Sequence, residues 1–170
     1  PRMASPHRQG ERLLWGPLAN ALGWRTIDVA EACDEPNAIW EAQGDVARFR
    51  DTTLLFYGGR TTRGAALAAS RYFSQPVELI EIRQPAFHGN MAALPLEAID
   101  RLVVCRSVLV GEGWQRLVDR FGLESMIEVS EDEIRSYATN GLPIGRDLIV
   151  PHLVPDRVRH ALTSLGMRMV

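Results

Sequence analysis

Residues 45–82 read DVARFRDTTLLFYGGRTTRGAALAASRYFSQPVELIEI, and the order of patterns within them decides the fold. GDVARF, starting at Gly44, and TTLLFYGG are rich in β-branched, aromatic and apolar residues and are bounded by Gly and Asp, which predicts two short strands. TRGAALAASRYF has the small-residue, apolar periodicity of a helix, and VELIEI alternates like a strand. The unit is therefore strand, strand, helix, strand.

The same order recurs on either side of the second joint. From Asn90 the chain gives MAALPL, the apolar LVVC and SVLV, a helix in GWQRLVDRFG and a strand in SMIEVS; from Asn140 it gives NGLPIG, DLIVP, a helix in PDRVRHALTSLG and finally MRMV. Pro155 with Asp156 opens the third helix, Gly122 and Gly166 close the second and third, and Val158, Ala161, Leu162 and Leu165 are spaced for one buried face. Ahead of these units, RLLWGPLANALGWRTIDVA predicts a helix interrupted near Pro17 and a strand over Arg25–Val29, the tail of an earlier unit. Three repeats of roughly 45 residues and a remnant imply that each unit buries its apolar face only against its neighbours. The expected division is a remnant over 1–39 and units over 40–85, 86–135 and 136–170, all within one α/β domain of a size that can bury a core.

Composition removes several function classes. Nineteen basic residues against 21 acidic ones leave a net charge of -2 and no broad electropositive face for a phosphate backbone, so nucleic acid is not an expected partner. Every basic residue is Arg, which excludes Schiff-base lysine chemistry and a P-loop lysine. No apolar run approaches the roughly 20 residues that cross a bilayer, and the opening PRMASPHRQGER has no signal-peptide core. Cys33 and Cys105 show no disulfide-type spacing, which suits a reducing, cytoplasmic setting. The four histidines lack ligand spacing, and neither GxGxxG nor GxxxxGK[ST] occurs, so no metal and no cofactor is expected.

Chemistry is expected at the joints, because repeated units bring such loops to one common surface. Glu41 alone reads as a solvated loop acid; its functional reading is a carboxylate that bonds one nitrogen of a catalytic imidazole and fixes its tautomer. His88 alone reads as a surface or satisfied core residue, and otherwise as the group that gives a proton to a leaving amine and takes one from water. Asp45 and Asn90 read either as turn residues capping backbone amides or as a polar floor that accepts hydrogen bonds from a planar cation. Arg60, after two glycines, is either a water-screened loop residue or a bidentate clamp on a substrate carboxylate. Cys105 in LVVC reads as a buried small hydrophobe, and the negative field of Glu31, Asp34 and Glu35 suppresses a thiolate at Cys33.

Taken in order, WEAQGD (Trp40 to Asp45), GGRTTRGA (Gly58 to Ala65), AFHGN (Ala86 to Asn90) and TNGLPIG (Thr139 to Gly145) resemble segments of the guanidino-group-modifying enzymes, the superfamily of dimethylarginine dimethylaminohydrolases, arginine deiminases and amidinotransferases. That resemblance implies an α/β, pentein-type five-bladed propeller of ββαβ units, incomplete here. It implies a hydrolase cleaving a C–N bond of a small-molecule guanidino substrate, with Glu41 orienting His88, His88 as general acid/base, Arg60 on the substrate carboxylate, and Asp45 and Asn90 bordering the guanidinium. The family's nucleophile is a cysteine in a glycine-rich segment after the last unit, and its first blade carries a further acid. The 170 residues are accordingly expected to be a partial copy without that cysteine, inactive alone. Asn90 stands where the family has an acid, which removes a charge-assisted bond of about 1.5–3 kcal/mol if buried. The alternative reading is a non-catalytic propeller that binds a small molecule or a protein. An open ring also exposes strand edges that pair with a second copy, which makes a homo-oligomer a further expectation.

Overall fold

The computed structural model describes residues 3–33, 35 and 37–170; Asp34, one of the acids read beside Cys33, lies outside them, as do Pro1, Arg2 and Pro36. Helix α1 (Glu11–Ala21) and the short α2 (Val29–Ala32) precede three small sheets of identical construction. The first contains β1 (Val46–Phe49), β2 (Thr52–Tyr57), helix α3 (Arg63–Ser70) and β3 (Val77–Glu81). The short α4 (Gly89–Ala92) leads into the second, made of β4 (Ala93–Leu96), β5 (Arg101–Val104), α5 (Gly113–Phe121) and β6 (Met126–Glu128). The short α6 (Glu131–Arg135) leads to the third, with β7 (Leu142–Ile144), β8 (Asp147–Ile149), α7 (Asp156–Ser164) and β9 (Arg168–Met169). In each sheet the first two strands are antiparallel and the helix carries the chain over to a third strand parallel to the second. The result is a mixed α/β fold.

Strand β2 shows why the units need one another. It lies between β1 and β3, so its side chains alternate between two covered faces. Leu54 and Phe56 face a core shared with Phe49, Ile80, Leu94 and Leu102, whereas Leu55 faces Ala65, Ala66, Ala69 and Trp40. The alanines of α3 let the helix lie close against the sheet, and Thr62 caps it by accepting from the Ala65 amide. One face is thus closed within the unit and the other only by the next sheet.

Main-chain and charged contacts join the units. Ile82, just past β3, bridges Leu109, flanked by bonds from Arg83 N–H to Val108 O and from Val110 N–H to Glu81 O, both 2.9 Å. Arg50 donates to both carboxylate oxygens of Asp100 at 2.7 Å, to Ser125 at 2.7 Å and to the Phe121 carbonyl at 3.0 Å. Arg157 of α7 forks onto both oxygens of Glu133 in α6, at 2.7 and 2.6 Å.

Four local expectations are corrected. Residues 24–28 form no strand, and Val29 already belongs to α2; Trp24 and Ile27 are exposed and no described strand lies alongside to pair with them. Helix α1 continues through Pro17 to Ala21, and the turn beyond the proline is kept by the Leu22 amide on the Leu18 and Ala19 carbonyls. SVLV is a 3-10 turn over Arg106–Val108 followed by the isolated bridge at Leu109, because β5 already ends at Val104. On α7, Val158 and Leu162 are buried but Leu165, one residue past the helix, is exposed. No helix among the described residues is long and apolar enough to cross a membrane.

Helix α6 begins with a complete capping box between Ser130 and Glu133. The hydrogen bond from Arg157, the largest effect, holds the Glu133 carboxyl below its ordinary value of 4.5. A depressed folded-state value stabilises the fold fully above 4.5 and ceases to do so as the pH falls through the lowered value. Glu133→Gln is expected to lower the urea midpoint near neutral pH and to converge on wild type in strong acid, and Ser130→Ala to cost about 0.5–2 kcal/mol. An equal deficit for Glu133→Gln at both pH values contradicts this assignment.

Candidate active site

The two joints flanking the first sheet meet around His88. Glu41 enters a single 3-10 turn, Ala42–Asp45, in which Ala42 takes a left-handed conformation at φ 50°, and the turn delivers both carboxylates to one imidazole ring. Glu41 Oε2 lies 3.2 Å from His88 Nε2, and Asp45 Oδ2 lies 3.3 Å from His88 Nδ1. Both acids have side chains only 1% exposed, against 14% for the ring, so the histidine alone of the three reaches solvent.

Burying two carboxylates is tolerable only if their oxygens are bonded. Asp45 receives the Gly89 amide at 2.8 Å on Oδ1 and the Thr61 hydroxyl at 2.6 Å on Oδ2. Glu41 receives the Ala4 amide at 2.7 Å on Oε1, and its own amide donates to Thr61 Oγ1 at 3.2 Å. Arg60 brings its Nη1 to 3.4 Å from Glu41 Oε2 and 3.3 Å from His88 Nε2, with its guanidinium 4.6 Å from the centre of the Phe87 ring. Two glycines permit these approaches. A Cβ on Gly44 would lie 3.0 Å from His88 Nδ1, and one on Gly89 would overlap the Phe56 ring in the core.

Of the residues singled out in the sequence, Glu41, Asp45, Arg60 and His88 come together. Asp45 is buried on the Nδ1 side of the imidazole, with its bonds directed to Thr61, Gly89 and His88. Asn90 is exposed in α4 and makes no side-chain hydrogen bond among the described residues. The solvated-acid reading of Glu41 fails, since that residue is 6% exposed. Thr61 and Phe87 were missed. The doubled threonine of GGRTTRGA held the signal for one of them, because Thr62 is spent on the helix cap while Thr61 points inward. Cys105 is buried in the core and burial pushes its thiol up, and Cys33 is unpaired and half-buried. No group of three metal-ligating side chains occurs among the described residues.

No protein-family model and no curated sequence matches the chain. Solved structures do. The N-terminal domain of ArgZ, an arginine dihydrolase of the cyanobacterial ornithine–ammonia cycle, in a cysteine-to-serine form bound to substrate, aligns with a TM-score of 0.86 at 18% identity, over 99% of this chain and 61% of that one. AgrE in complex with ornithine and NAD+ aligns at 0.87 and 17% identity, over 99% of this chain and 24% of that one. A cysteine-to-serine variant of DDAH from Pseudomonas aeruginosa, complexed with citrulline, aligns at 0.69 and 20% identity, over 99% and 61%. The chain shares its fold with these ArgZ, AgrE and DDAH structures. The chain spans about three fifths of the length of the ArgZ domain and of DDAH. Within this fold, the Glu41–His88–Asp45 cluster lies where the two joints flanking the first ββαβ sheet converge.

The glycine before Asn90 is expected to be indispensable to that convergence. Gly89→Ala should destabilise the protein by about 1–3 kcal/mol, the usual cost of overpacking. A wild-type urea midpoint in that variant would show that the Phe56 ring does not confine the His88 segment.

Proposed function

We propose that this chain forms part of a hydrolase that cleaves a C–N bond in the guanidino group of arginine or a close analogue. The observation that carries the proposal is the guanidinium already lying on the Glu41–His88 pair, that of Arg60, stacked on Phe87. A carboxylate, an imidazole nitrogen and an aromatic face form a seat for a planar cation. A substrate guanidinium takes this seat, and Arg60 turns to the carboxylate at the other end of the substrate, for which its fork is suited. Arginine is the substrate considered first because ArgZ, whose N-terminal domain shares this fold, is an arginine dihydrolase.

The chemistry is nucleophilic catalysis in two steps. A thiolate attacks the central guanidinium carbon, and the amine leaves with a proton from His88. Water, deprotonated by the same ring, then releases the ureido product and the thiolate. One ArgZ structure holds a reaction intermediate covalently, which accords with such a route. Buried Cys105 and half-buried Cys33 do not fit the role of that thiolate. The three ββαβ sheets are units of a five-bladed ring in this reading, and the two unpaired thiols accord with the reducing cytoplasm. Occupation of the seat by Arg60 itself favours a second reading, in which the site binds arginine without turning it over. Citrulline formation by the product of the entire reading frame separates the two.

Calorimetric titration of the 170 residues with L-arginine tests the seat. Binding is expected, weakened about tenfold or more in Glu41→Gln, because a hydrogen bond to a charged group is lost. The 170 residues alone are expected to release no citrulline. Equal affinity in wild type and Glu41→Gln would remove Glu41 from guanidinium recognition.

A further inference from the structure

The two buried acids contact different nitrogens of one ring, and the hydrogen-bond donors around Asp45 fix a proton on the nitrogen that faces it. The Glu41 amide can only donate, so Thr61 Oγ1 accepts from it at 3.2 Å. The single hydroxyl proton of Thr61 is then directed to Asp45 Oδ2, at 2.6 Å. Asp45 Oδ1 is occupied by the Gly89 amide at 2.8 Å. With both oxygens accepting, Asp45 has no proton to give His88, so Nδ1, 3.3 Å away, must be the donor. Nε2 faces both Arg60 Nη1, which can only donate, at 3.3 Å and Glu41 Oε2, which accepts, at 3.2 Å, so it accepts from Arg60 in the neutral ring and donates to Glu41 in the charged one.

We propose that Asp45 and Thr61 are positioning residues that hold His88 in the Nδ1–H tautomer, with Nε2 turned toward Glu41 and the guanidinium seat. The two acids thereby differ in role. Glu41 shares its Oε2 between Arg60 and Nε2, whereas the Asp45 oxygens are taken up by Thr61, Gly89 and Nδ1. Thr61 makes the two interdependent, because one hydroxyl holds the main chain of Glu41 and the carboxylate of Asp45. A ring fixed in this way confines the transferable proton to Nε2, beside the guanidinium seat, where it is given to the leaving amine and regained from water without a rotamer search. The catalytic meaning rests on the guanidino-hydrolase reading, but the tautomer does not.

Nitrogen-15 NMR of the histidine-labelled chain, with long-range coupling to the ring carbon-bound protons, reads the tautomer directly. In wild type the His88 Nδ1 signal should be of the protonated, pyrrole type and Nε2 of the bare, pyridine type. Asp45→Asn and Thr61→Val should each shift population to the Nε2–H form, while Thr61→Ser restores the wild-type pattern. A wild-type ring protonated at Nε2 alone overturns the proposal without recourse to any variant. So does an unchanged tautomer in folded Thr61→Val. Because the readout needs no ligand, failure of L-arginine to bind a chain showing the expected tautomer would count against the guanidino reading and leave the positioning role standing.

Discussion

The arrangement around His88 depends on one buried carboxylate. Asp45 ends the turn before β1, Thr61 follows β2, and Gly89 opens the segment before β4, so three stretches far apart in sequence are tied through its two oxygens. An ionised group with so little exposure is stable only when such bonds are made, and removing any of them leaves a desolvated charge. The need to satisfy Asp45 is therefore also what brings the joints together. The second acid, Glu41, is held less completely by the main chain and turns one oxygen toward Arg60 and the ring.

That carboxylate sits on a frame whose units cannot be closed singly. The alternation of Leu54, Leu55 and Phe56 sends neighbouring residues of β2 into two cores, one made with α3 and the other with the second sheet. Arg50 and the Ile82–Leu109 bridge reinforce the same contact from the two ends of the first sheet. Rigid packing around β2 fixes Phe56, and Phe56 in turn limits the position of Gly89 and hence of His88. Geometry at the site is thus inherited from packing in the core.

Local pattern made the strand, strand, helix, strand order of the first unit legible, since TTLLFY and GAALAA differ in the residue types that sheets and helices favour. Pattern failed where the outcome depends on a partner. Arg25–Val29 has strand-like composition but no adjacent strand, and SVLV is apolar because it packs at a turn between units. At the site, residue types and motif order singled out Glu41, Asp45, Arg60 and His88 without saying which acid meets which nitrogen. That distinction follows from the 3-10 turn at Ala42–Asp45 and from the inward hydroxyl of Thr61, neither of which has a periodic signature. Asn90, adjacent to a motif residue, turns outward because the α4 turn begins directly after His88.

The proposed guanidinium seat lies between Glu41 and the His88 imidazole, where the chain's own Arg60 sits. A crystal structure of the protein soaked with L-arginine tests this most directly. The ligand guanidinium is expected within hydrogen-bonding distance of Glu41 and His88 Nε2, with Arg60 moved onto the ligand carboxylate. Arginine bound elsewhere while Arg60 keeps its contacts to Glu41 and His88 would contradict it.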